Sequence, residues 1–179
     1  MRIQVGYEMV YSFPQPTAMI LMLHVHDQHA AAIEAPDHLT TDPALPLSEY
    51  RDSFGNRCTR LVAPAGRIAI QSRGVFRDSG EFEVPRITAE QHPVEDLPDE
   101  TLVFLLGSRY CETELLSQFA WNQFGGVAAG FTRVQAICDW VHNHIAFSYQ
   151  NARVTRTAFE GYTERTGVCR DFTHLAVTL

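Results

Sequence analysis

Ile3, Val5, Tyr7, Met9, Tyr11 and Phe13 fall on every second residue at the start of the chain. Apolar side chains at period two put one face of a strand against a core and the other face, with Arg2, Gln4 and Glu8, toward water. No helix can satisfy that spacing, so the chain must begin as β-structure. Pro14 and Pro16 end the strand. Ala18 to His26 reads as a second, more fully apolar strand. Leu47–Arg51 and Asn56–Val62 flank Asp52-Ser53-Phe54-Gly55, a turn composition that predicts a hairpin. Gly66 to Phe76 is a further strand, with Ile68 and Ile70 on one face. Short strands at this spacing predict an antiparallel β-sandwich over residues 1–92.

The pattern changes near residue 90. Thr88 to Glu100 holds prolines and acidic residues with little periodicity and reads as a linker. Helices follow. Glu112 to Phe124 carries Leu115, Leu116, Phe119 and Ala120 on one side, and Gly125-Gly126 stops it. Thr132 to Phe147 has a capping-box pair, Thr132 with Gln135, and a stripe of Val134, Ile137, Cys138, Val141 and Ile145. Thr157 to Thr166 is a shorter helix ending at Gly167. The last helix starts at Cys169, with Phe172, Leu175, Ala176 and Leu179 as its inward stripe. The fold class is therefore α+β, a β-sandwich followed by a helical region over 97–179.

Composition narrows the function classes. Net charge is −7 on 179 residues, with no clustered basic run, which argues against a nucleic-acid partner. Every basic residue is arginine, so the chain offers no lysine amine as an acyl acceptor. The longest apolar run, Ala18 to Leu23, is far too short to span a membrane. The opening residues do not read as a signal peptide. The four cysteines, Cys58, Cys111, Cys138 and Cys169, form no C-x-x-C pair and no disulfide framework. A reduced, cytoplasmic setting is expected.

Cys169 is the candidate nucleophile. It opens a helix, where the positive end of the macrodipole favours a thiolate and orphan N–H groups can receive an oxyanion. Its spacing from Phe172 places the thiol on the inward stripe; the competing reading is a buried structural cysteine. A nucleophilic cysteine needs a base. His174, five residues on, points about 140° away on an ideal helix. His142 and His144 read as solvated polar residues beside the apolar stripe, so no general base is assigned. His24 and His26, near Asp27 and His29, would share a strand face, but a third ligand is missing and no metal site is assigned. No cofactor is implied. Cys138 reads as core packing, as do Trp121 and Trp140 at the core or its edge.

The segment Gly167-Val168-Cys169-Arg170-Asp171-Phe172-Thr173-His174-Leu175 resembles the nucleophile motif of the bacterial transglutaminase-like superfamily, whose members are often described as cysteine proteases. Ser108-Arg109-Tyr110-Cys111 resembles the opening of that family's core. Ile137-Cys138-Asp139-Trp140-Val141 with Ile145-Ala146-Phe147 resembles its central helix, and Thr157-Ala158 to Gly167 the helix before the motif. The first strand and Tyr50-Arg51-Asp52-Ser53-Phe54-Gly55-Asn56 are similar to its β-rich N-terminal region. The resemblance implies a papain-like core and a Cys-His-Asp triad acting through a thioester on a peptide or protein amide, with hydrolysis as the expected outcome.

Only Cys169 carries over from that triad. The family's histidine and aspartate come from a sheet downstream of the nucleophile helix, and the chain stops at Leu179. The expectation is thus a truncated core lacking its sheet, inert by itself, with a second copy or a missing C-terminal segment covering exposed apolar helix faces. The rival expectation is a partner-binding β-sandwich attached to a non-catalytic, degenerate core.

Overall fold

The structure is a computed structural model describing residues 1–179. It divides into two compact units, Met1–Glu83 and Val84–Leu179. The division falls earlier in the chain than the composition shift suggests.

The first unit holds seven strands: β1 (Arg2–Phe13), β2 (Thr17–Leu21), β3 (Ile33–Ala35), β4 (Thr40–Asp42), β5 (Ser48–Arg51), β6 (Arg57–Ala63) and β7 (Gly66–Arg77). β1 pairs antiparallel with β7 in one unbroken register from Arg2↔Arg77 to Phe13↔Gly66. β3 and β4 pair with the opposite edge of β7. A second antiparallel sheet runs β2-β6-β5. Leu21, Leu61, Ala63, Ile68 and Ile70 bury one face of each sheet together, with Leu39 and the β1 residues Tyr7, Met9 and Phe13. Removing this apolar area from water is the main drive for the sandwich.

The period-two alternation of β1 is therefore present, but its core is shorter than the strand. Ile3 and Val5 remain 37% and 46% exposed. The expected hairpin forms between β5 and β6. Its turn is tied by Asp52, whose carboxylate accepts the backbone N–H groups of Phe54 and Asn56 and the Asn56 amide. Gly55, at φ 82°, takes the left-handed position there.

One strand boundary differs. β2 ends at Leu21 rather than His26. His24 has turned inward: its imidazole lies 2.9 Å from Thr59 Oγ1, 3.2 Å from Asp37 Oδ2 and 2.8 Å from Arg57 Nη2. A polar network inside the sandwich won over strand propensity. His26 instead accepts the Gln28 N–H at the start of a 3-10 turn. The two histidines thus do different jobs and share no strand face.

The second unit holds α1 (Thr113–Phe124), α2 (Phe131–His144), β8 (Ala146–Phe147), α3 (Ala158–Glu164), β9 (Thr166–Gly167) and α4 (Cys169–Thr178). β8 and β9 form a two-stranded parallel ladder. The core is Leu116, Phe124, Ile137, Val141, Ile145, Ala158 and Leu175. Phe119, Trp140, Phe159 and Tyr162 pack around it.

Several helix details correct the sequence reading. Thr132 does not cap α2: Gly130 at φ 87° does, and the helix starts at Phe131. A Cβ at Gly130 would stand 2.3 Å from the Ala89 carbonyl, which already accepts the Phe131 N–H. The buried stripe of α2 narrows to Ile137 and Val141, continued by Ile145; Val134 and Cys138 are exposed. Likewise Leu115 of α1 faces solvent while Leu116 is buried. The apolar pattern in both helices is wider than the surface available to cover it. No helix is long and apolar enough to cross a membrane.

Candidate active site

The path to Cys169 is fixed one turn at a time. Thr157 caps α3 in a full capping box with Glu160, each side chain meeting the other's backbone N–H. Arg165 ends the helix in the left-handed conformation at φ 55°. Thr166 and Gly167 then run beside Ala146 and Phe147. Val168 is extended, and α4 begins at Cys169.

Asp171 holds this corner. It is 1% exposed, and its Oδ2 accepts the Val168 N–H at 2.8 Å and Arg156 Nη1 at 3.1 Å. Arg156 is itself 3% exposed and spends its Nε and Nη2 on Glu164. Burial alone would lower the Arg156 pKa, but Glu164 and Asp171 outweigh it and raise it, so the guanidinium stays charged. Gly167 has to be small: a Cβ there would lie 2.6 Å from Asp171 Cβ and 2.8 Å from its Oδ2.

Arg170 reaches away from the thiol. Its two Nη groups donate to the carbonyls of Val154 and Arg153, which pins the loop before α3. Its guanidinium also lies over the Tyr110 ring. Tyr110 stacks on His174, centroids 5.3 Å apart and planes within 5°.

With the corner held, Cys169 is exposed. This corrects the expectation that its thiol points into the protein body. Of the predicted stripe, Leu175 is fully buried and Phe172, Ala176 and Leu179 pack against the core in part, while Asp171 and Thr178 join Leu175 as the buried positions of α4. This follows from Asp171, whose partners pull that face toward the core. Asp171 and Phe172 N–H both bond the Val168 carbonyl. The N–H groups of Cys169 and Arg170 are the orphan donors of this terminus.

Cys169 shares a face of α4 with Phe172, Thr173 and Ala176, at spacings of three, four and seven. Those three residues, with Cys138, Asp139, Val141 and His142 of α2, line an open groove of about 440 Å³. The exposed nucleophile candidate thus stands one helical turn before Phe172, the first residue of α4 that lines this groove of apolar and polar walls.

The other candidates sort as follows. His174 makes no hydrogen bond to Cys169; its Nδ1 is buried without a partner, and its pKa is lowered, first by burial and then by Arg170. His144 is not a solvated residue. Its ring stacks on Trp140, lies beside Tyr162, and its Nε2 meets the Tyr162 carbonyl at 2.7 Å. Trp140 packs within that aromatic cluster, whereas Trp121 is largely exposed. Cys111 lies 3.7 Å from the His174 carbonyl, so Ser108–Cys111 is held against α4. No group of three or more metal-ligating side chains is assembled. The sequence reading missed Asp171 and Arg156 as the anchors of the site. Asp171 three residues after the extended Val168 was the available signal, since a carboxylate there can reach back to that N–H.

The sequence model of the transglutaminase-like superfamily matches residues 117–179. No curated protein matches. Among solved structures, the chain is similar to one from Cytophaga hutchinsonii described as a "putative cysteine protease", at 26% identity and a TM-score of 0.82. The match covers 99% of this chain and 64% of that one, so the chain spans less than two thirds of its relative's length.

Proposed function

Through its second unit the chain belongs to the transglutaminase-like superfamily, a cysteine-based enzyme family, and on that premise we propose that Cys169 is the nucleophile of an acyl-transfer reaction on amides. The observation that carries this reading is the exposure of Cys169 at the first position of α4, while the flanking Gly167 and Asp171 are buried and locked. A thiol kept for packing would be inside; here the motif is buried around a thiol that is out.

In the proposed step the Cys169 sulfur attacks the amide carbonyl carbon. The C–S bond forms, the carbonyl electrons move to oxygen, and the oxyanion meets the orphan N–H donors at the start of α4. Collapse expels the amine, which takes the thiol proton, and leaves a thioester. Water then attacks the thioester, releasing the acid and restoring the thiol. Peptide or protein hydrolysis is the outcome we favour, because the motif resembles the protease branch of the family. Family resemblance further implies a histidine and an aspartate acting on Cys169. The exposed groove along Phe172, Thr173 and Ala176 is a suitable bed for the substrate chain beside it.

The test is covalent. The chain is incubated with a peptide bearing an activated acyl group and digested for mass spectrometry. The expected result is an acyl adduct on Cys169, lost in Cys169→Ser. Equal acylation of Cys138, the other exposed thiol, with no preference for Cys169, would sink the reading.

A further inference from the structure

We propose that β1 is a self-association edge, through which two copies of the chain join their first units into one continuous antiparallel sheet. β1 has β7 on one side and no strand on the other. An unpaired edge of this length is a ready template for another strand unless it is blunted by proline, a bulge or lysine. β1 contains no proline, its register against β7 has no bulge, and the whole chain has no lysine.

The backbone tells which groups are free. Met1 and Asp78 exchange both hydrogen bonds, Met1 N–H₃⁺ to the Asp78 carbonyl at 2.5 Å and Asp78 N–H to the Met1 carbonyl at 2.9 Å. Bonded and non-bonded pairs alternate along an antiparallel ladder. The odd residues of β1 therefore spend their N–H and C=O on β7. The even residues, Arg2, Gln4, Gly6, Glu8, Val10 and Ser12, turn theirs to the open edge, and all six are exposed.

A second β1 must pair even residue with even residue. Charge chooses among those registers. Placing Val5 opposite Val5 of the second copy sets Arg2 opposite Glu8 and Glu8 opposite Arg2, with Gln4 opposite Gly6 on both sides. Shifting the register by two residues sets Arg2 against Val10, and by four against Ser12, which loses both ion pairs. Arg2 uses its Nε on Glu34 and keeps its other nitrogens available. The same register packs Ile3 against Tyr7 and Val5 against Val5. Ile3 and Val5 are exposed apolar residues of that face within this ladder; Tyr11, also exposed, lies beyond it. The partner is thus a second copy, because one strand supplies both the charge pattern and its complement.

The full chain is examined by sedimentation velocity over a range of concentrations, with variants. The expected result is a reversible dimer whose dissociation constant rises about tenfold or more in Glu8→Arg, where two like-charge pairs replace two opposite ones, and recovers in the double variant Arg2→Glu/Glu8→Arg. In Val5→Cys, the symmetric non-bonded pair brings two Cα atoms to roughly 4.5 Å, close enough for a disulfide. Mild oxidation of Val5→Cys should join the two copies through the introduced thiols, identified by peptide mapping, whereas Tyr11→Cys, outside the ladder, should not link. Circular dichroism checks that each variant is folded. A monomer at every concentration overturns the proposal. So does a dimer that is indifferent to Glu8→Arg and gives no linked Val5→Cys peptide, since it would use another surface.

Discussion

Asp171 Oδ2 accepts a hydrogen bond from Arg156 Nη1 at 3.1 Å, and neither residue is more than 3% exposed. The pair joins the loop before α3 to the first turn of α4. Breaking a buried pair by removing one charge strands the other, at a cost of about 3 kcal/mol or more. Asp171→Ala should therefore lower the unfolding free energy of the second unit by that order, read from denaturant titration. Glu164 still neutralises Arg156 in part, which keeps the loss near the lower end. Because Asp171 also accepts the Val168 N–H, the variant should slow alkylation of Cys169 even where the protein stays folded.

Gly167→Ala tests the same corner by volume alone. The new Cβ would meet Asp171 Cβ and Oδ2 at 2.6 and 2.8 Å, and Asp171 is held from two sides and cannot swing away. Overpacking of this kind costs roughly 1–3 kcal/mol. The measurement is again denaturant unfolding, with Gly126→Ala as a control, since nothing lies within 4 Å of a Cβ at that glycine. Equal loss in both variants would mean that the contact with Asp171 does not matter.

How much of this was legible beforehand follows the range of the interaction. The helix start at Cys169 and the β5–β6 turn depend on residues within four positions of one another, and both can be read from the sequence, whereas Gly167 is not the helix stop it resembles: Arg165 ends α3 and Gly167 lies in β9. The direction of Cys169 cannot be read that way. It is set by Arg156, fifteen residues before Asp171, and by a carboxylate that apolar patterning ranks as an outward residue. A buried charge takes Asp171 and Thr178 inside alongside Leu175, and nothing local announces it. His24 is the same case in the sandwich: its partners, Asp37 and the β6 residues Arg57 and Thr59, lie 13 to 35 residues away, so periodicity could not assemble them. Val134, Cys138 and Leu115 fail differently. Their helices carry more apolar residues than the core has surface to accept.

His174 should make the second unit sensitive to mild acid. Its pKa is lowered, chiefly by burial and then by Arg170, so the folded state resists protonation. The unfolded chain binds the proton first. Stability is then fully present above the ordinary histidine value of about 6.5 and is lost as pH falls from there toward the lowered folded value. His174→Gln should flatten unfolding free energy between about pH 7 and 5 relative to the parent. An unchanged slope would show that burial of this ring does not couple to folding.

Asp37 should govern the sandwich in a more acidic window. Burial by itself would raise the Asp37 pKa, but the Val25 N–H, Arg57 and His24 together outweigh it and hold the carboxyl below its usual value. Val25 N–H meets Oδ2 at 2.9 Å and Arg57 Nη2 meets Oδ1 at 2.6 Å, both favouring the carboxylate. For a depressed acid, the stabilisation is complete above the unfolded value near 4 and disappears as pH falls through the folded one. Asp37→Asn should therefore be less stable than the parent at neutral pH, with the gap closing below about pH 4. Unfolding of the sandwich followed at a series of pH values gives the answer. A gap that stays constant through that range would assign the loss to packing and leave the ionisation of Asp37 without a role in stability.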